Sequence, residues 1–310
     1  MPAPKTVIKS KLLTSTFQKY LGTKDIRNFK GKFLYYLIFR LIRNFLASDL
    51  ILHIYNFKVF GSINRNKTSY FLLKKCEFGD YHELNIIKQL SKKNKILLVD
   101  CGCNYGFYSF YTASLKKDNY IIAVEASKKT SYEFLKNLKL NNFSNIVFKN
   151  NAVSNIDNIN IIFNESENDW ESSQSHNNFK SFSITNIKSI KIDTLLENFE
   201  YKNYISIIKL DIEGNELNAL NGGLSFIERS SPLIIIEFSK YIFDKQDNIE
   251  HLKSFLNKYD YSIYNTQKKK INLEEILNKL NNLKKRYKTI GNFYLIKNSS
   301  NNLKLFLLND

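Results

Sequence analysis

Three carboxylates, Asp211, Glu213 and Glu216, crowd into the segment Ile208-Lys209-Leu210-Asp211-Ile212-Glu213-Gly214-Asn215-Glu216. An apolar run ends there and a helical pattern begins, so the acids stand at a strand end and a helix start. Carboxylates so placed can take a proton from a reacting group or hold a hard divalent cation. They can also simply favour the positive end of the helix dipole. A fourth acid, Glu237, closes the apolar run Leu233–Phe238. A second constellation lies upstream: Val99-Asp100-Cys101-Gly102-Cys103-Asn104-Tyr105-Gly106-Phe107-Tyr108-Ser109. Here a strand ends in an acid and turns through glycines into a helix. Gly102 permits a tight turn and a close approach of another group to the backbone.

The glycine spacing narrows the ligand. The chain has G-x-x-x-G, whereas a dinucleotide turn uses G-x-G-x-x-G to seat a pyrophosphate on the helix N-terminus. A pyrophosphate would also meet the Asp100 carboxylate, which a sulfonium cofactor carrying an amino group tolerates. Glu125 ends the next apolar run, about twenty-five residues after Asp100. An acid at that place can accept both hydroxyls of a ribose, a device shared with nicotinamide sites. Glycine turn and acid together point to an adenosine-containing cofactor; the alternative reading of Glu125 is a surface carboxylate at a strand end.

The elements that must position these groups alternate. Strands are expected at Ile96–Asp100, Tyr120–Glu125, Ile146–Lys149, Ile205–Leu210 and Leu233–Phe238. Helices are expected at Asp80–Ser91, Phe107–Leu115, Lys129–Leu140, after Asp211 to about Gly222, and at Asn248–Lys258. Alternation of this kind implies a parallel sheet with right-handed crossovers and helices on both faces. Tyr261–Tyr264 and Asn292–Ile296 close the sheet, Ile159–Phe163 adds a strand, and Asp193–Asn198 reads as a short helix. Asn164–Lys180 is long, polar and without pattern, which reads either as a functional loop of a compact domain or as a disordered surface loop. Its Trp170, Glu171, Ser172 and Ser173 suit an acceptor lid, and His176 is a further candidate base. Before the sheet, residues 33–53 read as one or two amphipathic helices. Tyr55–Phe60 and Ser69–Lys74 read as a hairpin turning through Gly61–Thr68. The expected organisation is an extension over 1–80, a catalytic domain over 81–298 and a tail over 299–310.

Composition sets outer limits. A chain of 310 residues, 43% hydrophobic and 14% aromatic, can bury a sizeable core and is not disordered overall. The net charge of +17 comes from 46 basic and 29 acidic residues. Most of the basic residues are lysine and they are spread along the chain, as in an A/T-biased coding composition. Nucleic-acid readers concentrate arginine at a contact face, so the charge does not select nucleic acid as partner. Three cysteines, Cys76, Cys101 and Cys103, make neither a disulfide framework nor a zinc site, which fits reduced thiols and a cytoplasmic protein. The most apolar stretch, 33–57, is interrupted by Arg40, Arg43 and Asp49 and falls short of the ~20 apolar residues of a span. Its alternating basic and aromatic residues allow peripheral membrane contact. The three prolines, Pro2, Pro4 and Pro232, form neither a Pro-Pro-aromatic nor a Pro-Cys segment. That excludes the adenine-amino and cytosine-C5 methylation types and leaves ribose O-methylation open.

The ordered set Val99–Ser109, Ala123-Val124-Glu125-Ala126, Lys191-Ile192-Asp193-Thr194-Leu195-Leu196 and Ile208–Glu216 resembles the FkbM family of S-adenosylmethionine-dependent methyltransferases. Leu220-Asn221-Gly222 and Ile236-Glu237-Phe238 strengthen the likeness, which spans roughly residues 80 to 297. Cys101, Cys103 and Ala126-Ser127 depart from the family's usual small aliphatic, alanine and Pro-Asn residues. The resemblance implies a Rossmann-like class I methyltransferase fold of seven strands, mostly parallel, the last antiparallel. It implies S-adenosylmethionine as cofactor, contacted by Asp100, Gly102, Asn104, Gly106, Glu125, Ala126 and Asn151. It implies O-methylation, often of a sugar or polyketide hydroxyl. Methyl transfer from a sulfonium needs chiefly a well-placed oxygen and a base for its proton. Asp211 or Glu213 is the candidate base, with Glu237 behind them. No dedicated metal-ligand set is assigned, although these carboxylates could hold a divalent cation in place of acting as base. A non-catalytic assembly module is the competing reading from another class, since fold alone does not establish activity.

Overall fold

The computed structural model describes residues 50–61, 80–166, 181–243, 246–284 and 289–300. The chain forms two compact units, one of residues 1–81 with 135–142, the other of residues 82–134 with 143–310.

Among its described residues, the first unit holds a hairpin of β1 (Leu50–Ile54) and β2 (Phe57–Gly61). The two strands turn at Tyr55-Asn56, with Tyr55 in the left-handed region at φ 51°. This corrects two expectations. Residues 50–53, read as the end of an amphipathic helix, are strand, and Phe57–Gly61 pairs backward onto them. The anticipated partner, Ser69–Lys74, lies outside the described residues, as does 33–49. The free edge of β2 is met by the amides of Asn137 and Asn141. Asn141 Oδ1 accepts from Lys58 N and its Nδ2 donates to Lys58 O, both at 2.6 Å, and Asn137 Oδ1 accepts from Phe60 N at 2.7 Å.

The second unit is built on one sheet. Its elements in chain order are α1 (Tyr81–Lys93), β3 (Lys95–Cys101), α2 (Phe107–Leu115), β4 (Tyr120–Val124), α3 (Lys128–Asn141) and β5 (Ile146–Lys149). Then come β6 (Ala152–Val153), β7 (Asn160–Ser166), β8 (Ser181–Ile190), α4 (Ile192–Leu195), β9 (Tyr204–Leu210), α5 (Glu216–Asn221) and α6 (Leu224–Ser230). The chain ends with β10 (Leu233–Ser239), α7 (Lys240–Phe243), α8 (Gln246–Lys258), β11 (Tyr261–Tyr264), β12 (Lys270–Ile271), α9 (Leu273–Asn281) and β13 (Thr289–Lys297). The last seven residues of α3's range, 135–141, fall with the first unit's segment 135–142.

The main sheet runs β12-β11-β13-β10-β9-β3-β4-β5. From β5 to β10 every pairing is parallel, and β13 is antiparallel to both β10 and β11. The expected seven strands are present, with the last one inserted between β10 and β11. An eighth, the two-residue β12, extends the edge by pairing antiparallel with β11. The central strands are buried on both faces: Ile96, Leu97, Leu98, Val99, Ile207, Ile208, Ile234, Ile235 and Ile236 are fully covered. Such burial explains why they read as continuous apolar runs and not as alternating ones. Strand order reverses between β3 and β9. The loops leaving their carboxyl ends therefore diverge and open a crevice, the place where α/β sheets bind ligands.

A separate three-stranded sheet, β6-β8-β7, lies in the same unit. β7 extends through Ser166 and pairs antiparallel with β8, a strand not anticipated from the sequence. Residues 167–180, with Trp170, Glu171, Ser172, Ser173 and His176, lie outside the described residues, so the lid reading is not addressed. α9 was also unanticipated. Its start carries a capping box, Asn272 accepting from Glu275 N while Glu275 accepts from Asn272 N, which is a legible helix signal.

Asn119, 1% exposed, ties α1 and α2 to β3. Its Oδ1 accepts from Ile96 N, and its Nδ2 donates to Ser91 Oγ and to Thr112 O. Asn119→Ala should therefore cost about 2–4 kcal/mol in urea unfolding, because it strands several buried polar groups at once. A loss under about 0.5 kcal/mol would show that water replaces the amide.

Candidate active site

The turn after β3 is held from three sides. Gly102 N and Cys103 N both donate to Val124 O at the end of β4, at 2.9 and 3.0 Å. Asp211 N donates to Cys101 O at 3.2 Å, which pins the loop after β9 against it. Gly102 (φ 74°), Asn104 (φ 49°) and Gly106 (φ 90°) are all left-handed. A Cβ on Gly102 would stand 1.9 Å from Asp211 O. The close approach anticipated at this glycine is therefore made by a neighbouring backbone carbonyl. A Cβ on Gly106 would strike the Phe110 and Phe134 rings, which stack with centroids 5.0 Å apart.

Glu125 is drawn into the same turn. Its Oε2 accepts from Asn104 N at 3.0 Å and its Oε1 from Ser127 N at 2.9 Å. Burial pushes its pKa up to about 7, against the pull of those two amides. Asn150, which the sequence reading missed, holds this loop: its Nδ2 donates to Glu125 O, Ala126 O and Ser131 Oγ. Asn151, its expected counterpart, donates instead to Lys188 O on β8 at 3.0 Å. Asp100 is 1% exposed. Its Oδ2 accepts from Ser109 Oγ at 2.6 Å, and its buried Oδ1 has no hydrogen-bond donor. Burial raises its pKa, opposed chiefly by Lys209. Cys101 and Cys103 are buried free thiols, with pKa values raised by burial, so they pack and do not ionise.

Lys209 links this turn to the second cluster. The β3–β9 register sets it beside Asp100. Its Nζ pairs with Asp211 Oδ2 at 2.9 Å and lies 4.9 Å from the centre of the Tyr108 ring. The lysine within an apolar strand was the available signal for this role. Glu216, expected as a helix-dipole residue, does more: its Oε1 accepts from Ile212 N and Gly214 N. It braces the turn in which Glu213 (φ 54°) and Gly214 (φ 103°) are left-handed. Burial pushes Glu216 up to about 7. Asp211, Glu213 and Glu237 converge, each offering a carboxylate oxygen within 4.8 Å of the others. Burial, then the charges of Asp211 and Glu216, push Glu237 up to about 8. An open surface depression lies by the start of β13, lined by Asn278, Lys279, Asn282, Leu283, Thr289 and Ile290. Thr289 Oγ1 donates to Phe238 O at 3.1 Å and neighbours the Glu237 carboxylate.

A parallel sheet with its strand order reversed at β3/β9, an antiparallel strand inserted next to the last, and ligand loops at its carboxyl edge define a class I methyltransferase fold. The chain belongs to the FkbM methyltransferase family: the model of the methyltransferase FkbM domain matches residues 100–263, just over half of it. Among solved structures it is similar to methyltransferase FkbM from Methylobacillus flagellatus KT. Identity there is 20% and the TM-score 0.40, over 73% of this chain and 52% of that one. The chain thus spans about half the length of that relative. It is also similar to M. jannaschii TYW2 in complex with AdoMet, at 12% identity and TM-score 0.41, over 80% of this chain and 84% of that one. No curated protein matches the sequence. Among the described residues, no helix is long and apolar enough to cross a membrane.

Two predictions follow from this geometry. Gly102→Ala forces a Cβ into the Asp211 carbonyl at a left-handed position, so a loss of more than about 3 kcal/mol is expected in urea unfolding. Wild-type stability in that variant would mean that the two loops part without cost. Glu125 holds its proton more tightly in the folded chain (about 7) than the ordinary 4.5. Its contribution is therefore fully present below about pH 4.5 and is lost as pH rises through about 7. The difference is on the order of 3 kcal/mol. The ligand-free protein should melt at lower temperature at pH 8 than at pH 5.5, and Glu125→Gln should flatten that slope. An equal slope in the variant would assign it to other groups.

Proposed function

We propose that the chain binds S-adenosylmethionine and methylates a hydroxyl of a sugar, glycan or related small-molecule acceptor. The observation that carries this reading is the meeting of the glycine turn, Glu125 and the Asp211–Glu213–Glu237 trio at one sheet edge.

The residues fit this cofactor in charge and in shape. The edge is acidic, with Lys209 already committed to Asp211, which suits a cationic sulfonium and ammonium and repels a pyrophosphate. Asp100 Oδ1 lacks a protein donor, and an amino group is a donor of the right charge. Each Glu125 oxygen accepts one backbone amide and keeps a second lone pair for a ribose hydroxyl. Asp100, Glu125 and the Gly102–Gly106 turn would hold the cofactor, as family membership and the AdoMet held by M. jannaschii TYW2 also suggest. When bound, it supplies an electrophilic methyl group.

The chain's own contribution is to orient the acceptor and accept its proton. Asp211 and Glu213 are the bases nearest the turn, and Glu237 faces them from β10. Lys209 pairs with Asp211 and Glu216 holds the turn that carries Glu213. An open depression beside the start of β13, mainly apolar in lining, carries the Asn278 and Asn282 amides and the Lys279 ammonium, donors that an acceptor hydroxyl can meet.

Calorimetric titration with S-adenosylhomocysteine tests the reading. The wild type should bind one equivalent saturably, and Glu125→Ala should weaken binding by about tenfold or more, about 1.4 kcal/mol. Folded wild-type protein that binds none would overturn the methyltransferase activity and leave an assembly module.

A further inference from the structure

We infer that Lys209 is a positioning residue for the cofactor: its buried ammonium faces Asp100 while bonded to Asp211, and so readies Asp100 to receive the cofactor's amino group. The inference rests on the proposed binding of S-adenosylmethionine and deepens it, by naming how the amino-group subsite is prepared.

Asp100 and Lys209 are register partners on the parallel strands β3 and β9, and such partners project to the same face of a sheet. Helix α2 lies over both. Ser109 Oγ, in its first turn, donates to Asp100 Oδ2 at 2.6 Å. The residue before it, Tyr108, sets its ring 4.9 Å from Lys209 Nζ. Acid and ammonium therefore sit under the same helical turn. Both are out of water: Asp100 is 1% exposed and the Lys209 side chain 3%. An ammonium so placed has lost its hydration, a cost that only nearby negative charge offsets.

The atoms divide the work. Lys209 Nζ gives a 2.9 Å bond to Asp211 Oδ2. Asp100 spends Oδ2 on Ser109, and its buried Oδ1 has no hydrogen-bond donor. Lys209 thus reaches Oδ1 through charge and not through a hydrogen bond, and the oxygen that an amino group needs stays open. The other groups around Asp100 cannot supply that charge. Asp211 and Glu125 are acids, Cys101 and Cys103 are buried thiols with raised pKa, and Ser109 and Tyr108 are neutral. Burial favours the protonated form of Asp100, and Lys209 is the largest influence against it. A protonated Asp100 would present no charge to a ligand ammonium.

Calorimetric titration of the full chain with S-adenosylhomocysteine, repeated across pH, tests this role without an acceptor. Wild-type affinity should fall on the acid side as Asp100 takes a proton. Lys209→Met should move that fall to higher pH, which is about tenfold weaker binding at a fixed pH on the slope. At alkaline pH it should match wild type. Asp211→Asn should move the fall to lower pH, because it removes an acid that raises Asp100 and releases the ammonium from its bond. Glu125 titrates on the same side in every variant, so the displacement between proteins is what is read. A purely structural clasp predicts otherwise: both substitutions break it, and both weaken binding alike at every pH. That result, or an unmoved acid slope in Lys209→Met, overturns the role. Should Lys209→Met fail to fold by circular dichroism, Asp211→Asn decides, its side chain being 37% exposed. A slope moved to lower pH then upholds the role, and any other result overturns it. Wild type that binds no S-adenosylhomocysteine sinks the cofactor reading and this role together. Wild type that binds, with an unmoved slope in the variants, sinks the role alone.

Discussion

The backbone carbonyl of Asp211 sits where a side chain on Gly102 would begin, and much of the site depends on that contact. Parallel strands bring β3 and β9 side by side, but their loops leave in opposite directions and would separate without a reason to stay. The absent Cβ, together with the bond from Asp211 N to Cys101 O, lets the two loops share one layer. Through Val124 O the same turn is joined to β4, which brings Glu125 in. A single vacant volume thus aligns the ends of three strands, and neither loop can shift without displacing the other.

Electrostatics works against this assembly. Asp100, Glu125, Glu216 and Glu237 all have pKa values raised with burial as the first cause. Each is more easily protonated in the fold than in water, so each costs stability at neutral pH. Backbone amides recover part of that cost at Glu125 and Glu216, and Lys209 recovers part at Asp100 and Glu237. Positive charge brought to this edge is stabilising, and a sulfonium ligand would bring it. The left-handed backbone at Asn104 and Glu213 adds local strain at the same edge, as is common where function constrains geometry.

Much of this was legible in the residues. Fully buried strands announce themselves as unbroken apolar runs, so β3, β4, β9 and β10 and the acids at their ends were placed correctly. The alternation of strands and helices was enough to specify the sheet. What escaped notice depended on contacts between distant segments. β8 breaks its period at Asn186, between Ile184 and Ile187, and gains its identity only by pairing with β7. The hairpin turns at Tyr55, a residue with no preference for positive φ, while the turn-rich Gly61–Thr68 drew attention away. Lys209 shows its partner only once register sets it beside Asp100. Asn150 and Asn151 are neighbours alike in sequence, and the path of the short loop between β5 and β6 decides that Asn150 meets Glu125 O while Asn151 meets Lys188 O.

The amide clasp on β2 has a geometric consequence of its own. Asn137 and Asn141 are one helical turn apart, a rise of about 6.0 Å, while Phe60 and Lys58 are two strand residues apart, about 6.8 Å. The two rulers nearly coincide over one interval and drift apart over the next, by about 1.6 Å after two. A helix can therefore impersonate a neighbouring strand for one repeat and no further. That makes the clasp a vernier: it seals a short edge against foreign strands and admits only displacements of two residues, since a slip of one would turn Lys58 and Phe60 to the other side.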